Sequence, residues 1–254
     1  MADYAGYMRW KNWSKASFGR YTAEQAAYFS AEVGRTGLLP ADLFRVFEIG
    51  TGNGTFAGWA TAQGWTYRGS ERIDDLVEKG VSAGFDVCRD GDDMWRELAG
   101  SGTDLFVAFD VFEHLEFCAL KEMLVRIHDA LRVGGCVLGR VPSGDSPFAG
   151  AYQNGDFTHQ VSLGSSAVRQ LAARTEFEVV DIGPPSMPIA GVGSRRAMRR
   201  LLIRAARGII DPILSFAYFD SQRVVMTSNM TFVLRKTAPS ASSVEQGAPT
   251  APME

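Results

Sequence analysis

Glu48 stands two residues before a Gly50-Thr-Gly52-Asn-Gly54 turn, and the turn closes a short apolar run over residues 45–49. Glycines at every second position keep Cβ atoms out of the way and admit positive φ, so a ligand can lie directly against the backbone. Such a turn can cradle a nucleotide-like molecule. A dinucleotide turn has the spacing Gly-x-Gly-x-x-Gly, which sets pyrophosphate on a helix N-terminus. Here the third glycine comes one position early and Thr55 follows it. The carboxylate of Glu48 would repel a phosphate and attract an ammonium group. A tight loop without any ligand is the plainer alternative.

Further acids recur where strands should end. Glu71 closes the run 65–71, roughly 20 residues past the turn, where an acid that accepts from ribose hydroxyls belongs. The alternative is a solvated acid at a strand end. Asp90, Asp92 and Asp93 follow the next run. Asp110 ends the apolar strand 104–109 and opens into Val-Phe-Glu113-His114-Leu. In open α/β sheets the ligand crevice lies beyond the carboxyl ends of the strands, so Glu48, Glu71, Asp92 and Asp110 are expected to gather there.

On these residues the chain resembles the class I S-adenosylmethionine-dependent methyltransferases. Their first motif has the Glu-x-Gly-x-Gly-x-Gly form matched by Glu48, Gly50, Gly52 and Gly54. Asp110-Val-Phe-Glu113-His114 is similar to the Asp-Val-Leu-Glu-His pattern of many small-molecule members, at the corresponding strand. The resemblance implies a doubly wound, seven-stranded, mostly parallel Rossmann-like sheet whose last strand runs antiparallel. It also implies S-adenosylmethionine as cofactor, with its methionine end at the turn and its adenine amino group against an acid after the third strand. Asp92 is taken for that acid, with Asp90 next. Asp110, Glu113 and His114 complete the expected cofactor set; His114, at a helix start, is assigned to packing or to holding the cofactor, and is the alternative to His159 as base.

A long loop follows the fifth strand and carries Tyr152, Asp156 and His159. Loops of this length in compact domains are usually functional, and this one would cover the transferred methyl group. Asp156 and His159 are the expected catalytic pair, with His159 as base because its unperturbed pKa lies near 6.5, and Tyr152 is expected to touch the acceptor. The alternatives are an Asp156 that caps a turn and a His159 satisfied within its loop. Methyl transfer to a well-oriented nucleophile gains much of its rate from proximity, so no metal is expected.

Between the sixth and seventh strands, residues 184–225 form an insertion. Within it, residues 194–210 contain six arginines and no acid. Arg195, Arg196, Arg199, Arg200, Arg204 and Arg207 cover one half of a helix, and Met198, Leu201, Leu202, Ala205 and Ile209 the other. This basic amphipathic helix has three readings: contact with an anionic membrane, grip on a phosphate-bearing substrate through Arg199, or an apolar side packed on the core beneath a solvated basic face. Net charge is −3 over 254 residues, so the basic surface is local and generic nucleic-acid binding is not expected.

The positioning elements read as alternating short strands and helices, with strands at 45–49, 65–71, 84–88, 104–109, 135–141, 177–182 and 226–235. Thr22-Ala-Glu-Gln25 has the form of a capping box and predicts a helix over 22–36. The expected organisation is an N-terminal helical cap over 1–40, a catalytic domain over 41–236 and a disordered tail over 237–254 rich in Ala, Pro and Ser. The aromatic segment 1–21 is read as a cap on the sheet edge, or else a lid. Composition is 46% apolar, enough for a full core. Cys88, Cys118 and Cys136 lie far apart, which fits a reducing compartment. With no run of 18 apolar residues and no leader-like start, a cytoplasmic protein is expected, peripheral at the membrane if the basic helix docks there.

The reaction expected is methylation of a hydroxyl on a small molecule or sugar, including phosphate- or lipid-linked acceptors of a surface-glycan or secondary pathway. A non-catalytic module that docks a membrane or protein through the basic helix is the alternative. A nicotinamide oxidoreductase ranks third, because of the glycine spacing and Glu48.

Overall fold

The computed structural model describes residues 18–39, 44–220, 222 and 224–238. The first helix, α1 (Ala23–Gly34), starts at the anticipated capping box. Thr22 accepts from the Gln25 amide at 3.2 Å and the Gln25 side chain accepts from the Thr22 amide at 2.8 Å, which satisfies two of the unpaired first-turn donors. Residues 1–17, Pro40 and the chain beyond 238 lie outside the described residues. Most of the expected cap-or-lid segment and tail therefore lie there too. Phe18 is described and buried; its ring occupies the space a Cβ on Gly54 would need, 5.6 Å from the Phe85 ring.

The sheet comprises β1 (Arg45–Ile49), β2 (Thr66–Glu71), β3 (Val87–Arg89), β4 (Thr103–Phe109), β5 (Leu131–Pro142), β6 (Phe177–Gly183) and β7 (Asn229–Lys236). Their order is β3-β2-β1-β4-β5-β7-β6. The first five pair in parallel, whereas β7 runs antiparallel to both β5 and β6. Between the strands run α2 (Thr55–Ala62), α3 (Asp74–Ser82), α4 (Asp92–Leu98), α5 (Phe117–Ala130), the short α6 (Gly150–Gln153), α7 (Ser165–Arg174) and α8 (Ser194–Tyr218).

Period-two alternation sorts the strands between two apolar layers. Phe47, Ile49, Phe106, Ala108 and Val137 pack with Leu120, Leu124 and Ile127 of α5. Val46, Leu105, Val107 and Leu138 pack on the other face with Phe29 of α1 and Phe56 and Trp59 of α2. Leu105 and Phe106 are fully buried on opposite faces, so truncating either to Ala should cost about 3–5 kcal/mol. The connections after β1 and β4 lead away in opposite directions, which opens a crevice at the carboxyl ends of these neighbours.

Several boundaries differ from the sequence reading: β3 is Val87–Arg89 where 84–88 is expected, and β5 starts at Leu131 where 135 is expected. Two further differences have a local reason. The seventh strand starts at Asn229 and not near 226, because Ser143 and Ser146 donate to the carbonyls of Val225 and Met226 at 2.8 and 2.7 Å. Those carbonyls serve the loop after β5 instead of a strand ladder. The basic helix α8 departs further. It extends to Tyr218 through Pro212, and none of its residues is buried. Its apolar residues Ile209, Ile213 and Phe216 are 65, 59 and 78% exposed. The expectation of an apolar side packed on the core does not hold: Arg196 and Arg200 both pair with Glu24 of α1, and Arg204 donates to the Met187 carbonyl at 2.5 Å. Arginines attach this helix to the domain, and much of its apolar side faces outward. Among the described residues no helix is long and apolar enough to cross a membrane.

Candidate active site

The crevice at the ends of β1 and β4 is a cavity of about 840 Å³. One wall is backbone. Gly50 and Gly54 have φ of +75° and +67°. A Cβ on Gly50 would lie 2.7 Å from Val111 Cγ2, so the position excludes side chains on two grounds. Gly50 and Gly52 line the cavity; Gly54 instead serves as the N-cap of α2, against Phe18.

Glu71 reaches this wall from the end of β2. Its carboxylate accepts from the amides of Gly52 at 2.9 Å, Arg72 at 2.8 Å and Ile73 at 3.1 Å. A carboxylate has about four acceptor sites, so roughly one is left for a ligand hydroxyl. Burial raises the Glu71 pKa against the pull of those amides. Glu48 also faces the cavity and is almost wholly buried. The Tyr67 hydroxyl donates to it at 2.6 Å. Burial outweighs this bond and pushes the Glu48 carboxyl up to about 8.

The acid after β3 is not where the sequence reading set it. Asp90 lines the cavity. Asp92 opens α4, turns away and pairs with Arg126 of α5 at 2.7 Å on the surface. The strand end, not the helix start, points into the crevice.

Asp110 lies at the cavity with φ of +57°, a left-handed conformation that Asp tolerates better than most residues. It is committed to Arg140 of β5, whose Nε donates to Oδ1 at 2.9 Å while a second guanidinium nitrogen meets Oδ2. Arg140 also donates to the Tyr28 hydroxyl at 3.0 Å and lies over the Tyr28 and Phe109 rings, 5.6 and 5.2 Å from their centroids. Burial opposes the guanidinium charge, but Asp110 outweighs it and holds Arg140 protonated. Burial pushes Tyr28 up to about 12. Tyr28 and Arg140 both line the cavity, and the sequence reading contains neither. A lone arginine in an apolar strand and a helical tyrosine carry no motif; only the tertiary packing joins them.

Opposite the glycine turn the wall is made of side chains. His114 lines the cavity beside Thr158 and Phe157, whose ring is 95% exposed at the mouth. Thr158 Oγ1 donates to Asp156 Oδ1 at 2.6 Å, and the Thr158 amide donates to the same oxygen at 3.0 Å. With its only hydroxyl proton used, Thr158 Oγ1 accepts from His114 Nδ1 at 2.8 Å. This fixes the His114 tautomer and leaves its Nε2 with a lone pair. Burial and the neighbouring His159 lower the His114 pKa, so the ring is neutral. The Thr158 bonds outweigh burial and hold the Asp156 carboxyl below its ordinary value.

His159 and Glu113 lie behind this wall and do not line the cavity. His159 Nδ1 donates to the Gln153 carbonyl at 2.9 Å, and its ring meets that of His114 edge-on at 4.7 Å. Burial pushes the Glu113 carboxyl up to about 8. Of the expected acceptor-side residues, Asp156 thus forms a turn, His159 is held within its loop, and Tyr152 is 56% exposed away from the cavity lining. Arg199 is exposed on α8 and also lies outside the lining.

A doubly wound sheet of this order, with an antiparallel seventh strand and a glycine turn facing acids at strand ends, defines the class I S-adenosylmethionine-dependent methyltransferases, whose cofactor is S-adenosylmethionine. The sequence model of a family described as a methyltransferase domain matches residues 18–182, and the chain belongs to that family. No curated protein matches it in sequence. Among solved structures, a SAM-dependent methyltransferase from Archaeoglobus fulgidus superimposes with a TM-score of 0.63 at 15% identity, over 92% of this chain and 100% of its own. One from Mesorhizobium loti gives 0.53 at 14%, over 83% and 98%. Phosphoethanolamine N-methyltransferase 2 of Haemonchus contortus, in complex with S-adenosyl-L-methionine, gives 0.54 at 17%, over 82% of this chain and 52% of its own. At these identities the likeness is one of fold.

Proposed function

We propose that this chain transfers the methyl group of S-adenosylmethionine to a hydroxyl of a small molecule, a sugar or a sugar-like acceptor, bound between the glycine turn and the His114 wall. The observation that carries this reading is the Asp156–Thr158–His114 chain of hydrogen bonds. It aims an imidazole with a fixed tautomer and an open nitrogen at the cavity, opposite the backbone wall. A hydroxyl must shed its proton as its oxygen is alkylated, and a polar wall of this kind is where that proton would go.

On this reading Glu48 meets the methionine ammonium, the remaining acceptor site of Glu71 takes a ribose hydroxyl, and Asp90 in place of Asp92 faces the adenine amino group. Asp110 acts through Arg140 and Tyr28, which hold α1 across the cavity. The bound cofactor supplies an electrophilic methyl carbon on a sulfonium; the chain's task is to orient the acceptor oxygen and exclude water. A cavity of about 840 Å³ suits a cofactor with a small acceptor. Phosphate recognition by Arg199 drops out, since that residue lies on the exposed helix.

Calorimetric titration with S-adenosylhomocysteine, with NAD in parallel, tests the cofactor half. Micromolar binding of the first alone is expected. Binding of neither would overturn the proposal in favour of a module that docks partners through α8. Acceptor screening against panels of sugars and phenols then tests the hydroxyl half, and turnover confined to amines would overturn that half alone.

A further inference from the structure

Three side chains bring ligand atoms together at the acceptor wall: His114 within it, and Glu113 and His159 behind it. His159 Nδ1 donates to a carbonyl, which can only accept, so in the neutral ring Nε2 carries the lone pair. That nitrogen faces Glu113 Oε1 at 4.0 Å, too far for a hydrogen bond. The other oxygen, Glu113 Oε2, is buried and has no hydrogen-bond partner, although Glu113 as a whole is 1% exposed. An orphaned carboxylate oxygen at that depth is costly unless something compensates it. His114, with Nδ1–H turned to Thr158, adds a second imidazole whose Nε2 is open. One donor atom from each of Glu113, His114 and His159 lies within 4.8 Å of the others.

We infer that Glu113, His114 and His159 form a binding site for a divalent first-row transition cation such as zinc, manganese or iron. Two imidazoles and one carboxylate are the donor set such ions take, whereas magnesium prefers an all-oxygen shell. Both histidines already have the supporting arrangement of metal ligands: each donates its second ring N–H to an oxygen held by the protein, which sets the tautomer and the ring orientation. Bonds of about 2.0–2.2 Å separate tetrahedral ligand atoms by about 3.3 Å, so binding requires the three side chains to close by roughly an ångström. The sequence reading expects no metal because proximity and orientation suffice for methyl transfer; along the chain, Glu113 and His114 stand apart from His159 and form no ligand cluster. The loop after β5 returns over the Phe112–His114 turn, where Gln160 and Val161 donate to the Glu113 carbonyl, and brings them together.

Because His114 also lines the cavity, the ion would have positions open toward the acceptor. There it would take the hydroxyl oxygen as a further ligand and lower its pKa; in the ion-loaded protein His114 Nε2 is a ligand and no longer takes the proton, which leaves to solvent before the oxygen attacks. This role rests on the methyl-transfer reading; binding of the ion does not.

The test is titration of the metal-free full-length protein with Zn²⁺ alone by calorimetry, and with Co²⁺ by visible absorption, with Mg²⁺ as control. One equivalent of Zn²⁺ and a Co²⁺ spectrum of nitrogen–oxygen ligation are expected, with no Mg²⁺ binding. Affinity should fall at least tenfold in both Glu113→Gln and His159→Ala and stay unchanged in Cys118→Ser, which removes an exposed thiol. Absence of Zn²⁺ binding by the wild-type chain, or unchanged binding in either ligand variant, would overturn the site. S-adenosylhomocysteine titrations on the same samples separate the two proposals. Cofactor binding without Zn²⁺ binding sinks the ion alone, and Zn²⁺ binding without cofactor binding sinks the methyl-transfer reading.

Discussion

The two walls of the cavity are built on different principles. The glycine-turn wall comes from two adjacent strand ends, β1 and β2, and presents mostly backbone, tied together by three amides that converge on Glu71. The opposite wall comes from the end of β4 and a loop some 40 residues later, and presents side chains held by side chains. The first wall suits a ligand common to a whole family, since backbone geometry does not vary with side-chain identity. The second suits discrimination, because each group can be exchanged without disturbing the sheet.

The largest effect should come from breaking the first wall. Glu71→Ala removes the acceptor of three partly buried amides and should cost about 3 kcal/mol or more of stability, with S-adenosylhomocysteine affinity down at least ~100-fold. Thermal melts and calorimetry read both, and a stable variant with normal affinity would refute the shared role of that carboxylate. On the second wall, His114→Ala should lower turnover by about 10²–10⁴-fold and leave cofactor affinity within about twofold. Equal losses in both would erase the division between the walls.

A smaller effect follows from Glu48, whose carboxyl is pushed up to about 8 from 4.5 by burial. A folded-state value above the unfolded one stabilises the protonated form. That contribution is whole below 4.5 and is lost as pH rises through about 8, so the free protein should melt lower at pH 8.5 than at pH 6. An ammonium ligand favours the ionised form. Cofactor affinity should therefore rise from about pH 6 toward pH 8, before the ligand's own amino group loses its proton, and Glu48→Gln should flatten that rise. A flat wild-type profile would separate Glu48 from the ammonium. The smallest effect is a comparison of neighbours: Asp90→Asn should weaken cofactor binding several-fold, whereas Asp92→Asn, whose partner is Arg126, should change it by less than about twofold. The reverse order would restore the sequence-based choice.

Residues close in sequence and rich in backbone constraints were legible without coordinates. The alternation of apolar runs sets the strands, because burial on a sheet has period two. The Glu48–Gly54 turn follows because only glycine takes those φ values at so close an approach. The capping box at Thr22 was legible for the same kind of reason, since its two bonds span three residues. The sheet order decided the rest. Asp90 and Asp92 differ by two positions, yet one ends a strand and the other starts a helix, and composition cannot say which faces a cavity. The period of α8 marks an amphipathic helix but not its inward face, which was settled by Glu24 pairing with Arg196 and Arg200. Arg140 with Tyr28, and Glu113 with His159, meet only because strands and loops distant in sequence share one end of the sheet. Local periodicity and turn chemistry act through neighbouring residues and can be read along the chain, whereas the contacts that make this site act across gaps that only tertiary packing closes.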